Sequence, residues 1–255
     1  MEGSCRSVSH WVVACLLVSG VACVSPPEAT KAIKQESLRR ASEAGLDVAK
    51  LQGFVNDRSV VIVSGVDIAA VKRVSAETVA IQLDAEEGER LEISFGLAAA
   101  LTEDGYLLTA AHVVQEHGTN SDSVWLVRNA LKEPFSRARI VWTDPVADLA
   151  IVKGNLQMSK FETARRLPLA GEVVFSHGKD AWPSAGRVSR VLFDKRRKTY
   201  VIEHTGPLKR GDSGGAAVNA DGELLGVNTE ISFSGSTAVV APIGAMRAII
   251  ARDRR

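Results

Sequence analysis

Three short segments of this chain carry side chains that can act on a carbonyl together. They are Thr109-Ala110-Ala111-His112, Asp148-Leu149-Ala150-Ile151-Val152 and Gly211-Asp212-Ser213-Gly214-Gly215. A serine hydroxyl is a poor nucleophile at neutral pH. It becomes reactive when an imidazole takes its proton and a carboxylate fixes the tautomer and orientation of that imidazole. The glycines around Ser213 permit a tight turn and leave room for a carbonyl to approach. Asp144 competes with Asp148 for the carboxylate role, but Asp144-Pro145 is a turn-starting pair, and that role accounts for it. Asp148 instead precedes an apolar strand, which places its carboxylate behind the imidazole. His10, His117, His177 and His204 lack such a setting and read as core or surface histidines. The His112…His117 pair has no metal-ligand spacing and no suitable acidic partner, so neither a metal nor another cofactor is expected.

The order His, Asp, Ser in these motifs resembles the chymotrypsin-like serine peptidases, and the HtrA/Deg-type bacterial branch most. The stretch from Ala216-Ala217-Val218-Asn219 to Leu224-Leu225-Gly226-Val227-Asn228-Thr229 extends the resemblance over a whole hairpin. The resemblance implies an all-β fold of two packed antiparallel six-stranded β-barrels with a short C-terminal helix. It implies a catalytic set of His112, Asp148 and Ser213, with an oxyanion hole made by the N–H groups of Gly211 and Ser213. It places Pro207 and Leu208 at the base and wall of the primary pocket, with Asn228, Thr229, Glu230, Ala238, Val239 and Val240 as the other walls. No carboxylate lies at that base. A small or medium apolar P1 residue (the one whose carbonyl is attacked) is therefore expected, with Glu230 reaching the rim at most. Asp212 departs from the Asn usual in HtrA-type members. How the oxyanion loop is held, whether by Lys209, by Arg210 or by solvent, stays open.

The elements that must position these residues are legible as pattern. From about residue 54 onward, short β-branched runs alternate with turn signals. They fall at 60–64, 78–83, 91–101, 106–109, 124–127, 138–142 and 148–152. A second set follows at 172–176, 186–193, 199–203, 216–218, 223–229 and 237–241. This is the pattern of a sandwich or barrel. The runs divide near 161–168, which gives a first barrel at about 54–160 and a second at about 168–242. Asn219-Ala220-Asp221-Gly222 reads as a hairpin turn. Ile243, Met246 and Ile249-Ile250 share one face of a closing helix over 243–255. Lys195-Arg196-Arg197-Lys198 sits between two strands and reads as a solvated hairpin tip. With so few residues after the closing helix, the PDZ domain that many HtrA-type proteases carry is not expected here.

The first 53 residues differ in kind. An apolar run over 11–24 behind Arg6 has the length of an export signal and is shorter than a membrane-spanning helix requires. Ser19-Gly20-Val21-Ala22-Cys23 resembles a bacterial lipobox, with Gly20 where the pattern usually has a branched residue. A signal peptide over 1–24 with Cys23 lipidated, and a plainly cleaved one, both fit. Residues 25–53 read as a polar, partly helical tether. Cys5, Cys15 and Cys23 are the only cysteines, so the body is held by its core alone.

A net charge of +1 gives no argument for a nucleic-acid partner, and none is expected. The expected activity is an exported serine endopeptidase of the bacterial periplasm or cell envelope, free or lipid-anchored, acting on proteins or peptides. A catalytically silent peptide-binding protein on the same scaffold is the competing reading, and the oligomeric state is not legible.

Overall fold

A computed structural model describes residues 35, 39, 47–64, 71–74, 81–83, 94–115, 124–128, 136–178, 183–209, 211–232 and 235–255. The signal and lipidation expectations, with Cys23, His10 and His117, lie outside the described residues. The first barrel closes in the order β1 (Ser59–Ser64), β4 (Ser94–Ala100), β5 (Tyr106–Thr109), β8 (Leu149–Gly154), β7 (Ser136–Asp144) and β6 (Val124–Arg128). The second closes as β10 (Pro183–Asp194), β11 (Thr199–His204), β14 (Gly235–Val239), β13 (Leu224–Ser232), β12 (Ala216–Val218) and β9 (Val173–His177). A separate ribbon pairs β2 (Val71–Val74) with β3 (Ile81–Leu83).

Side chains along a strand alternate between its two faces, and here both faces are used. Leu107, Ala150 and Val152 join Val60, Ile62 and Ala98 in the core cluster of the first barrel. Their neighbours Leu108, Leu149 and Ile151 belong to a second cluster, shared with Phe175, Ala216, Val227 and Val239 of the other barrel. This double burial explains the unbroken apolar run from Leu149 to Val152. Each such side chain contributes about 1.5–3 kcal/mol when fully removed from water. A third cluster of Val174, Val188, Ile202, Ala217, Leu225 and Ala238 fills the second barrel.

Helices close the seam at both ends. Helix α1 (Val48–Asn56) starts at Asp47, whose side chain accepts the Lys50 N–H at 3.0 Å. Its Leu51, Phe54 and Val55 pack on the shared core, and Phe54 meets Phe161 edge-on with centroids 6.0 Å apart. The helix thus straddles residue 53, where the tether was expected to end, because an i, i+3, i+4 apolar stripe continues through Val55. The inter-barrel linker pairs at Thr163 with Leu224 in a parallel bridge.

After α2 (Ala111–Gln115), helix α3 (Ile243–Asp253) buries Met246 and Ile250 and reaches back to the first barrel. There Asp253 accepts from Tyr106 Oη at 2.7 Å and from both Arg139 nitrogens at 2.8 and 2.5 Å.

Arg139 first, and Tyr106 after it, hold the Asp253 carboxyl down at about 2, from an ordinary 3.8. A depressed carboxylate stabilises the fold above its unfolded value and loses that contribution as pH falls through its folded value. Asp253→Asn should therefore lower Tm at pH 7 by roughly 2–4 °C, about 1 kcal/mol for a partly exposed pair. In paired thermal melts the gap from wild type should close between about pH 4 and pH 2.

Candidate active site

Antiparallel pairing of β5 with β8 sets Thr109 opposite Ala150. The residues just beyond β5 and just before β8 therefore share one rim of the first barrel. Beyond β5 comes α2, whose Val113 and Val114 are fully buried and whose His112 is half-buried and points outward. Ser64 Oγ donates to the Val113 carbonyl at 2.6 Å, and Gln115 Nε2 to Thr143 Oγ1 at 2.7 Å. Before β8, Asp144 Oδ1 accepts the N–H groups of Val146 and Ala147, both at 3.0 Å, as expected of a turn residue.

Asp148 then takes φ +59°, a left-handed conformation that Asp tolerates better than most residues. That reversal aims its carboxylate at α2. Oδ1 accepts the His112 backbone N–H at 3.0 Å, while ring Nδ1 donates at 2.9 Å to Oδ2 and 3.1 Å to Oδ1. With Nδ1 carrying the proton, the lone pair sits on Nε2.

Ser213 comes from the second barrel on a loop made almost wholly of backbone contacts. Gly211 at φ +90° and Gly214 at φ +79° turn it where a Cβ would be strained. Asp212 is buried; its Oδ2 accepts the Lys209 N–H at 2.8 Å, and its own N–H returns to the Lys209 carbonyl at 3.0 Å. Gly214 N–H donates to the Asn228 carbonyl at 2.7 Å, and Gly215 N–H to the Asp212 carbonyl at 3.0 Å. The Ser213 carbonyl takes the Leu97 N–H of β4 at 2.8 Å. A Cβ built on Gly96 would stand 2.7 Å from that carbonyl and 2.6 Å from Val113 Cγ2. Gly96 thus lies between the Ser213 carbonyl and Val113, the residue that follows His112. No described backbone carbonyl takes the N–H of Gly211 or Ser213.

The other pocket candidates divide. Pro207 and Leu208 are half-buried between β11 and the Ser213 loop. Asn228 and Thr229 are buried, and the Asn228 Oδ1 accepts from Ser176 Oγ at 3.2 Å. Ala238 sits in the core of the second barrel, Val239 in the shared core, and Val240 at the edge of the former. Glu230 is exposed and paired with Arg197. Arg197 is a signal the sequence hid. The run 195–198 does form a hairpin tip, with Asp194 Oδ1 accepting from the N–H groups of Arg196 and Arg197. Arg197 nonetheless turns inward and is 7% exposed. His177 and His204 are fully buried, which drives them down to about 3 and about 4; both are neutral at pH 7. Among the described residues, no three His, Cys, Asp or Glu side chains gather into a metal-binding group.

The profile of the trypsin-like peptidase domain matches residues 96–227, which hold His112, Asp148 and Ser213, and the chain belongs to that family. It is 31% identical over 147 residues to a probable periplasmic serine endoprotease, DegP-like, of Pseudomonas fluorescens, covering 54% of this chain and 29% of the relative. It is 29% identical over 191 residues to serine endoprotease DegS of Escherichia coli, covering 69% of this chain and 51% of the relative. The chain thus spans about half or less of the length of these curated relatives. In fold it is similar to the active form of the Rv3671c protease from Mycobacterium tuberculosis, with TM-score 0.57 at 18% identity over 79% of this chain and 82% of that one.

A Cβ on Gly214 would lie 2.0 Å from the Leu97 carbonyl oxygen and 2.3 Å from Thr109 Oγ1. Gly214→Ala should therefore push the loop off β4 and lower Tm by roughly 5 °C or more. Gly244→Ala in α3, with nothing within 4 Å of the new methyl, should leave Tm unchanged or slightly raised. Thermal melts of the two variants check the contrast.

Proposed function

We propose that the protein is a serine endopeptidase that hydrolyses peptide bonds through an acyl-enzyme on Ser213. Ser213 Oγ attacks the substrate carbonyl while its proton passes to His112 Nε2. Asp148, bonded to Nδ1, stabilises the imidazolium that forms. The N–H groups of Gly211 and Ser213 hold the developing oxyanion, and losing one such donor typically costs about 100- to 1000-fold. His112 then gives the proton to the leaving amine as the tetrahedral intermediate collapses. A water, deprotonated by the same imidazole, releases the acyl group and restores Ser213. The observation that carries this reading is the pair of hydrogen bonds that the Asp148 carboxylate accepts from His112, from ring and backbone N–H at once, on the rim where β4 holds the Ser213 carbonyl.

The walls expected for the primary pocket are short and apolar at Pro207, Leu208 and Val240. Ala238 and Val239, being core residues, contribute through their backbone. Such walls favour a small or medium apolar P1 residue. Arg197 engages Glu230, which makes that carboxylate a poor receptor for a basic P1 residue. The apolar run over 11–24 and the periplasmic naming of a relative support export to the bacterial periplasm or envelope, with Cys23 as the residue that a lipid anchor would use.

A fluorophosphonate probe should label the wild-type protein at Ser213 and leave Ser213→Ala unlabelled. Asp148→Asn should keep the fold while peptide hydrolysis falls on the order of 10⁴-fold, because the imidazole loses its fixed tautomer. Folded wild-type protein that neither labels nor cleaves, yet binds peptide tightly, would contradict the proposal.

A further inference from the structure

Among the described residues, four large apolar side chains stay exposed, and two of them stand side by side on one hairpin. Phe193 of β10, 51% exposed, lies opposite Tyr200 of β11, 42% exposed. Their rings meet edge-on with centroids 5.3 Å apart. Side chains two residues apart along a strand share a face. The next pair on this face is Val191 with Ile202, and there Ile202 lies in the core of the second barrel with Val191 packed on it. The two rings thus carry the apolar interior stripe of the barrel out into solvent. Adjoining exposed rings call for a partner more than scattered apolar residues do.

The hairpin that bears them projects. Strand β9 accompanies β10 only over Pro183–Arg187, and the pairing of β14 with β11 begins at Val201. Beyond these limits, among the described residues, the chain runs on as a two-stranded ribbon. Its turn holds one shape. Asp194 Oδ1 accepts the N–H groups of Arg196 at 2.8 Å and Arg197 at 3.1 Å, and Lys198 takes φ +54°. The buried Arg197 side chain engages Asp194 and Glu230, which commits both carboxylates. Lys195, Arg196 and Lys198 are all exposed, and none of the three forms an ion pair among the described residues. Three cations without a paired counter-charge therefore stand beside two uncovered rings.

We propose that this ribbon is a docking surface for a membrane whose lipid headgroups are anionic. The boundary between water and hydrocarbon takes aromatic rings at the headgroup level, and it lets Lys and Arg stems lie on apolar material while their charges reach the phosphates. Lying along the bilayer, the ribbon turns Phe193 and Tyr200 toward the acyl boundary. Lys195, Arg196 and Lys198 then sit among the headgroups, where each cation strengthens attachment roughly fivefold. An acidic protein would answer the cations alone. The rings sit on a projecting ribbon rather than in a groove, which suits a deformable bilayer boundary better than a fixed protein surface. Neither the docking nor its test requires Ser213 to be active.

Hydrogen–deuterium exchange on the full chain tests this, with vesicles of phosphatidylcholine alone and of phosphatidylcholine mixed with anionic phosphatidylglycerol. Any attachment through the apolar run 11–24 is common to both vesicles, so the difference between them reads the ribbon. Amides of residues 192–200 should exchange about tenfold or more slowly on the anionic vesicles than on the neutral ones, while those of α3 exchange alike on both. Phe193→Ser, and separately Lys195→Glu with Arg196→Glu, should each cut that protection about threefold or more. Unchanged exchange of α3 in these variants shows that the fold is kept, and the wild-type comparison decides alone where a variant misfolds. No slowing over 192–200 on anionic vesicles, equal slowing on both kinds, or slowing that survives both variants would overturn the inference. Slowing by a glutamate-rich peptide, with none from lipid, would assign the ribbon to an acidic protein and overturn it as well.

Discussion

One contact between the barrels governs the rest: the Leu97 N–H of β4 bonds the Ser213 carbonyl at 2.8 Å. His112 and Asp148 ride on the first barrel and Ser213 on the second, so their meeting depends on how closely two curved sheets approach. Side chains at this point would force the sheets apart. Gly96 on one side and Gly214 on the other remove them, and a Cβ at either would fall within 3 Å of the opposite barrel. The shared apolar cluster, from Leu108 and Ile151 to Val227 and Val239, presses the barrels together around that gap. The clamp of Asp253 on Tyr106 and Arg139 fastens the far side.

Within the first barrel, position follows from register. Setting Thr109 against Ala150 fixes which residues emerge together at the rim, and a one-residue slip would exchange the side chains that fill the first barrel with those that pack on the second. Among the described residues of the first barrel, Asp148 is the one non-glycine residue with a left-handed backbone, a conformation that costs on the order of 1 kcal/mol. Its bonds to the His112 amide and ring offset it, and they restrain the imidazole in both position and rotation. The Ser213 loop is built on the opposite plan. It is held by amide-to-carbonyl bonds and by the buried Asp212 carboxylate on the Lys209 N–H.

Much of this was readable before any coordinates, for definite reasons. Strands such as 106–109 and 216–218 are short, apolar and bounded by turn residues, so their limits match the observed β5 and β12. Asn219-Ala220-Asp221-Gly222 announced its turn because Asn219 serves as a local acceptor, for Asp221 and Glu223, and Gly222 takes φ +80°. Asp144 read as a turn residue on the same grounds.

What escaped depends on tertiary packing. The Val48–Asn56 helix lacks the composition of a strong helix and gains its place from contacts with Phe161 and the shared core. Strand β2, Val71–Val74, carries two basic residues in four and so offers no apolar run to mark it. Arg197 looks like its basic neighbours until Glu230 and Asp194 draw it inward. Ser176, His204 and Asn228 lie far apart in sequence, and only barrel closure brings them together.

The most direct check on two barrels assembling one reaction centre is a crystal structure of the protein carrying a covalently bound peptidyl phosphonate. The account predicts phosphorus on Ser213 Oγ and a phosphoryl oxygen facing the N–H groups of Gly211 and Ser213. It also predicts His112 between Ser213 and Asp148, and the Leu97–Ser213 bond intact. Barrels parted at Gly96 and Gly214, with the modified serine out of reach of His112, would contradict it.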